Sequence, residues 1–213
     1  MLKQKHFIDT HKGMTPIFII FLISIYSQWT NLDAVIYLAL HGTYGILWIT
    51  KSFIYPDKQW ENKTSIWYGL FIWIGLSIYW ISPYIIVTGN HFMPILINND
   101  ILYLGFCISM FVFGIFLHFT SDMQKYAYLK LKPGNLITEE MFSRSRNANY
   151  LGELLIYLGF TLIAKDWLPL LGLMLFVFLI WIPNMIKKDK SLSRYPEFHE
   201  YSKKSKRFFP FLF

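Results

Sequence analysis

An all-α, polytopic integral membrane protein with six transmembrane helices is the fold class the sequence predicts, on three observations. Hydrophobic residues make up 54% of the 213 residues and charged residues 15%, where a soluble domain carries about 25% charged. Six apolar stretches alternate with polar segments along the whole chain. If all six cross the bilayer, every Lys and Arg but Lys165 falls on one side, which the positive-inside rule makes cytoplasmic, with both termini.

The stretches run 15–29, 34–50, 65–88, 101–121, 150–164 and 167–186. A spanning helix needs roughly 20 residues, which the third, fourth and sixth supply. The first and fifth are short and must recruit flanking polar residues. The first is not a signal peptide, because no A-x-A-like cleavage site follows it. No repeat, low-complexity tract or Gly/Ser linker divides the chain, so residues 1–213 read as one membrane domain. The lone Cys107 excludes an internal disulfide framework, a CxxC redox pair and a cysteine zinc cluster.

A net charge of +7 in a chain this apolar points to lipid headgroups or a phosphorylated ligand, not to nucleic acid. The polar segments 122–150 and 187–213 mix cations with tyrosines and amides. Arg and Lys pair with phosphates, and Asn and Tyr bond to sugar or base. The alternative is that these cations attract anionic headgroups, at about 1 kcal/mol each. Spacing favours a ligand. Arg144, Arg146, Asn147, Asn149, Tyr150, Gly152 and Glu153 form S-R-x-R-N-x-N-Y-x-G-E as the chain enters the fifth span. A carboxylate at the edge of hydrocarbon is costly unless paired, which makes Glu153 a site candidate, and Gly152 lets a backbone or ligand approach closely.

The run N-A-N-Y-L-G-E before an apolar helix, the upstream S-D and K-P-G, and the ending K-R-F-F-P-F-L-F together resemble the C-terminal half of the steroid 5α-reductase superfamily. The match is to its bacterial members with no assigned substrate, over about residues 110–213. More distantly the chain resembles isoprenylcysteine carboxyl methyltransferases. The resemblance implies that residues 101–213 form a cofactor-binding half for NADPH and residues 1–100 a substrate half. Carried over by position, the cofactor contacts are Asp122, Asn149 and Glu153, with Tyr150, Lys130 or Lys132 and the cations Arg144 and Arg146 beside them. In the tail the matching positions are Tyr201, Lys206 and Pro210, with Tyr195 substituting for a family tyrosine just upstream. In the substrate half, the tyrosine and glutamate that polarise an enone carbonyl in the reductases fall on Trp48 and Met14. An indole is a weak donor and a thioether donates nothing, so a 3-oxo-Δ4 steroid is not the expected substrate.

The second span offers other chemistry in A-L-H-G-T-Y-G-I-L-W-I-T-K. His41 and Tyr44 are three apart and share a helical face; Lys51 lies on it seven residues after Tyr44, about 10 Å along the axis. Tyr44 as the acid, His41 as its orienting partner and Lys51 at the pocket mouth are the expected catalytic residues. The alternative is a buried histidine, two glycines for helix packing and a snorkelling lysine. No metal is expected: His118 and Asp122, four apart, lack the third ligand zinc needs. Walker, G-x-G-x-x-G, G-x-S-x-G and H-E-x-x-H motifs are absent.

Three functions therefore stand at this point. One is an NADPH-dependent reductase of a lipophilic alkene or enone. A second is an S-adenosylmethionine-dependent methyltransferase, for which Arg146–Gly152 and a tail of Lys188-Asp189-x-x-Leu192 followed by Tyr195-Pro196-x-Phe198-x-x-Tyr201 are the matching elements. The third is a non-catalytic scaffold or lipid-binding protein. The bilayer and a lipophilic small molecule are the expected partners.

Overall fold

The computed structural model describes residues 2–98 and 100–212. Among them every named element is a helix, and only isolated bridges occur in place of strands. Five helices are long and apolar enough to cross a membrane: Gln4–Ile25, Leu32–Ile54, Ile66–Thr88, Asp100–Leu131 and Trp167–Leu192. Their large exposed hydrophobic side chains are mostly Leu, Ile, Phe, Val and Trp, as an integral membrane protein requires.

Helix α1 spans Gln4–Ile25, not 15–29. Its buried residues, Ile8, His11, Lys12, Thr15, Ile19, Leu22 and Ile23, repeat every three to four positions, so the polar N-terminal turns lie on the stripe that packs inward. Helix α2, Leu32–Ile54, is capped by the Asn31 side chain, which accepts from the Ala34 amide at 3.2 Å. The two helices cross where Pro16 interrupts α1. Proline has no N–H for the carbonyl four residues back, which is that of Lys12. A Cβ added at Gly45 of α2 would sit 2.6 Å from that carbonyl oxygen. A Cβ added at Gly42 would lie 3.5 Å from the Pro16 ring. Both glycines are packing residues.

The third span is broken. α3, Ile66–Leu76, passes through a 3-10 turn at Ser77–Trp80 into α4, Ile81–Thr88. Pro83 frees the Tyr79 carbonyl, and the Tyr37 hydroxyl of α2 donates to it at 3.4 Å. Gly89, at φ +69°, ends α4 in the left-handed cap typical of glycine. α5, Asp100–Leu131, is 32 residues long and outruns the expected 101–121. α6, Ala148–Leu162, has 15 residues. The last span is α7, Trp167–Phe176, a π turn at Val177–Trp181 and α8, Ile182–Leu192. The π turn ends two residues before Pro183, which cannot donate to the helix before it. α9, Phe198–Lys204, closes the tail.

The chain divides into two units. The first comprises residues 1–111 and 157–173; the second comprises 112–156 and 174–213. In the first unit, the α6–α7 turn meets the ends of other spans. Lys165 bonds Asp33 at 2.9 Å and Asp100 at 3.2 Å. The buried Asp166 carboxylate accepts from the amides of Phe92, Met93 and Leu168 at 2.8–2.9 Å. At the other end of α1, Lys3 bonds Glu61 at 2.5 Å, Lys5 pairs with the same carboxylate, and Lys3 bridges Lys63. Hydrogen bonds from Lys3 and Lys5 hold the Glu61 carboxyl below its ordinary range. In the second unit, Ser145 bridges Lys206, tying the α5–α6 loop to the tail.

Candidate functional site

In the first unit, a buried polar cluster forms between α1, α2 and α6. The Lys12 side chain, 3% exposed, donates from Nζ to the Tyr157 hydroxyl at 2.5 Å. The same ammonium lies 4.4 Å from the Tyr44 ring centroid, 4.9 Å from that of Tyr157 and 5.2 Å from that of Trp48. An ammonium over aromatic faces is held by their quadrupoles, more strongly when desolvated. Lys51, also buried, places Nζ 4.7 Å over the Trp48 ring. The Trp48 indole donates to Asp9 Oδ1 at 3.2 Å, and Ser52 donates to Asp9 Oδ2 at 2.7 Å.

The three expected catalytic residues thus lie on one face of α2, but His41 does not bond Tyr44. Its Nδ1 shares a 3.0 Å hydrogen bond with the Tyr37 hydroxyl, one turn earlier, and its ring stacks on Phe160 at 4.3 Å. The His41 and Tyr44 ring centroids are 6.4 Å apart. The neighbour that brings positive charge to Tyr44 is Lys12. Sequence reading missed Lys12, Asp9 and Tyr157. Lys12 carried a signal, the period of the α1 stripe; Asp9, beside that stripe, did not. Tyr157, in an apolar helix 145 residues from Lys12, carried none.

In the second unit, α5 and α6 cross through glycines. A Cβ at Gly152 would collide with the His118 backbone nitrogen, and one at Gly114 would lie 2.7 Å from the Gly152 carbonyl oxygen. The close approach that Gly152 permits is therefore that of a helix backbone. It brings His118 Nδ1 to donate to the Asn149 carbonyl at 3.0 Å, while His118 Nε2 lies 3.7 Å from Asp122 Oδ2. Asn149 Oδ1 is buried with no hydrogen-bond partner among the described residues. Glu153 is half-buried on α6, and the Tyr150 ring packs edge-on against Trp181 at 5.5 Å.

The cations of the second unit fall into two groups. Arg146, buried, holds Asp189 with a bidentate pair of 2.9 Å bonds and donates to the Ser205 carbonyl at 2.6 Å. Arg207 adds a 2.9 Å bond to Asp189, and Lys188 donates to the Arg146 carbonyl and to Asn147 Oδ1 at 2.7 and 3.0 Å. This network binds the α5–α6 loop to α8 and the tail. Arg144, Lys130 and Lys132 are exposed; their contacts are with the rings of Phe211, Tyr126 and Tyr128. Tyr201 is buried and donates to the Phe142 carbonyl at 2.7 Å; burial pushes its hydroxyl up to about 12. Tyr195, Arg194, Phe198 and His199 line an open depression beside α9, with the Tyr195 hydroxyl accepting from Arg194 at 3.1 Å.

No curated protein and no solved structure matches the chain. The family described as DUF1295, protein of unknown function, matches it over residues 1–205, and the chain belongs to that family.

Proposed function

We propose that this protein is a six-span membrane reductase that uses NADPH to reduce a carbon–carbon double bond conjugated to the carbonyl of a lipophilic molecule. The family to which it belongs is associated with steroid 5α-reductase-like proteins, in line with the N-A-N-Y-L-G-E resemblance. The observation that carries the chemistry is the buried Lys12 ammonium set against the phenols of Tyr157 and Tyr44.

The residues present fit the cofactor. The orphaned Asn149 Oδ1 asks for a donor, which an amide or ribose hydroxyl provides. Arg144, Lys130 and Lys132 are exposed, and none has a carboxylate partner among the described residues. They suit the phosphates, with Asp122, Tyr150 and Glu153 near the same α6 start and Tyr195 and Tyr201 in the tail; Arg146 acts by holding the loop against Asp189.

When bound, NADPH supplies a hydride for the β-carbon. The double-bond electrons then move toward the carbonyl oxygen, and that charge needs a donor in place. Tyr44 gives the proton. The Lys12 ammonium stabilises the negative charge left on the phenol oxygen, and Tyr157 holds Lys12 in position. His41 orients the face through Tyr37, and Lys51 keeps positive charge at its polar end.

Six crossings with both termini cytoplasmic fit the grouping of the turns in the first unit. The α6–α7 turn bonds the start of α2 at Asp33 and the start of α5 at Asp100, as it must if α6 also crosses. At about 22 Å, α6 is short for hydrocarbon of roughly 30 Å; Arg146 and Lys165 flank it as interfacial cations.

Incubating the purified protein with NADPH deuterated at the transferable position and a membrane lipid extract tests the reaction. One deuterium on a carbon–carbon single bond of a lipid product is expected. Transfer of a labelled methyl group from S-adenosylmethionine, with no deuterium transfer, would replace this reading.

A further inference from the structure

His11 is 2% exposed, and neither ring nitrogen has a hydrogen-bond partner among the described residues. An imidazole always has one donor and one acceptor or two donors, and leaving them unmade in a buried place is costly. What surrounds the ring is aromatic. Trp80 stacks on it with centroids 5.2 Å apart and planes at 22°, and Trp73 meets it edge-on at 5.0 Å and 78°.

This cage is held in place. Thr15 donates to the His11 carbonyl at 2.8 Å and accepts from the Trp80 indole at 3.0 Å, and Phe18 also stacks on Trp80 at 4.1 Å. Both tryptophans are only half-buried. On the same two helices, Met14 is 45% exposed and Ile74 is 67% exposed, a surface fit for acyl chains. The half-buried indoles thus cover the buried imidazole on a helix pair that exposes apolar side chains.

We propose that His11, walled by Trp73 and Trp80, is a lateral recognition site where a lipophile coming from the bilayer places one carbonyl or hydroxyl oxygen. The imidazole bonds that oxygen, and the indoles cover the apolar body next to it. A charged headgroup does not suit the site, because Lys12, the adjacent cation, turns to Tyr157 and Tyr44. The inference rests on the reading of the substrate as a lipophile with an oxygen function. It adds a binding step that is separate from the donation assigned to Tyr44.

The test uses the full chain in detergent, without NADPH, and a photoreactive diazirine isoprenoid ketone beside its carbonyl-free hydrocarbon counterpart. The ketone is expected to label residues 4–25 and 66–88 at least tenfold more than the hydrocarbon, and His11→Leu should lower ketone labelling to the hydrocarbon level. His11→Leu removes the two unmet polar atoms with little change in side-chain volume, so its thermal midpoint should match or exceed that of the wild type. Equal labelling by both probes, or full ketone labelling of His11→Leu, would overturn the proposal. So would a midpoint lowered by several degrees, since the imidazole would then be satisfied by a bound water. Because no cofactor is present, a failure of the reductase reading leaves these outcomes unchanged.

Discussion

Gly152→Ala is the sharpest test of how the second unit is built. A Cβ at this position would strike the His118 amide nitrogen and lie 2.8 Å from His118 Cα and 2.9 Å from the Gly114 carbonyl oxygen. Carbon contacts are comfortable at about 3.5–4.0 Å, so α5 and α6 would have to separate by roughly 1 Å. All three obstacles are backbone, and none can rotate away. Overpacking costs about 1–3 kcal/mol, here near the top of that range, while alanine recovers up to about 1 kcal/mol of helix propensity. A net loss of about 2 kcal/mol should lower the thermal midpoint by roughly 4–8 °C for a chain of this length. Circular dichroism in detergent measures it. Gly105→Ala is the control on α5, since nothing lies within 4 Å of its added Cβ; it should be neutral or stabilising. Separation also pulls the Asn149 carbonyl from His118, so Gly152→Ala should weaken NADPH binding. A wild-type midpoint in Gly152→Ala would refute the close crossing.

Tyr44→Phe removes one hydroxyl and should lower turnover by ~10²-fold or more, in the range of a general acid, with NADPH affinity unchanged; full turnover would return Tyr44 to packing. Burial works to raise the Asp166 carboxyl, but backbone N–H groups of Leu168, Met93 and Phe92, with His91 beside it, hold it below the ordinary 3.8. Its stabilisation is therefore present above 3.8 and lost as pH falls through the lower folded value. Asp166→Asn should be less stable than wild type at neutral pH and converge with it at the acid end, as thermal midpoints across pH will show. Cysteines placed at Ser143 and Ser202, with Cys107 replaced by alanine, should both be labelled from the cytoplasmic side; labelling from opposite sides contradicts six crossings.

The helices were legible because hydropathy over some twenty residues survives local detail, and the glycines of H-G-T-Y-G pack as the alternative reading of that span had them. The detail itself escaped. Averaging placed the start of the first span at Thr15 and left Lys12 among loop cations, although Ile8, His11, Thr15 and Ile19 already share its helical stripe. His41 and Tyr44 have the right spacing to touch, yet Tyr37, one turn earlier on the same face, takes the His41 bond. Arg146 reads as a phosphate ligand until Asp189, 43 residues on, answers it; no local pattern encodes that pairing. Gly152 announced a close approach without saying whether a ligand or, as found, the His118 backbone makes it.

Titration of the purified protein with NADPH and with S-adenosylmethionine decides whether a nucleotide cofactor binds at the start of α6. In the proposed complex the orphaned Asn149 Oδ1 accepts one bond from an amide or hydroxyl of the cofactor; a neutral bond contributes about 0.5–1.5 kcal/mol, at the upper end roughly tenfold in affinity. NADPH should bind and S-adenosylmethionine should not, with Asn149→Ala up to about tenfold weaker for NADPH. Binding of S-adenosylmethionine alone, or of neither, would rule out an NADPH site there.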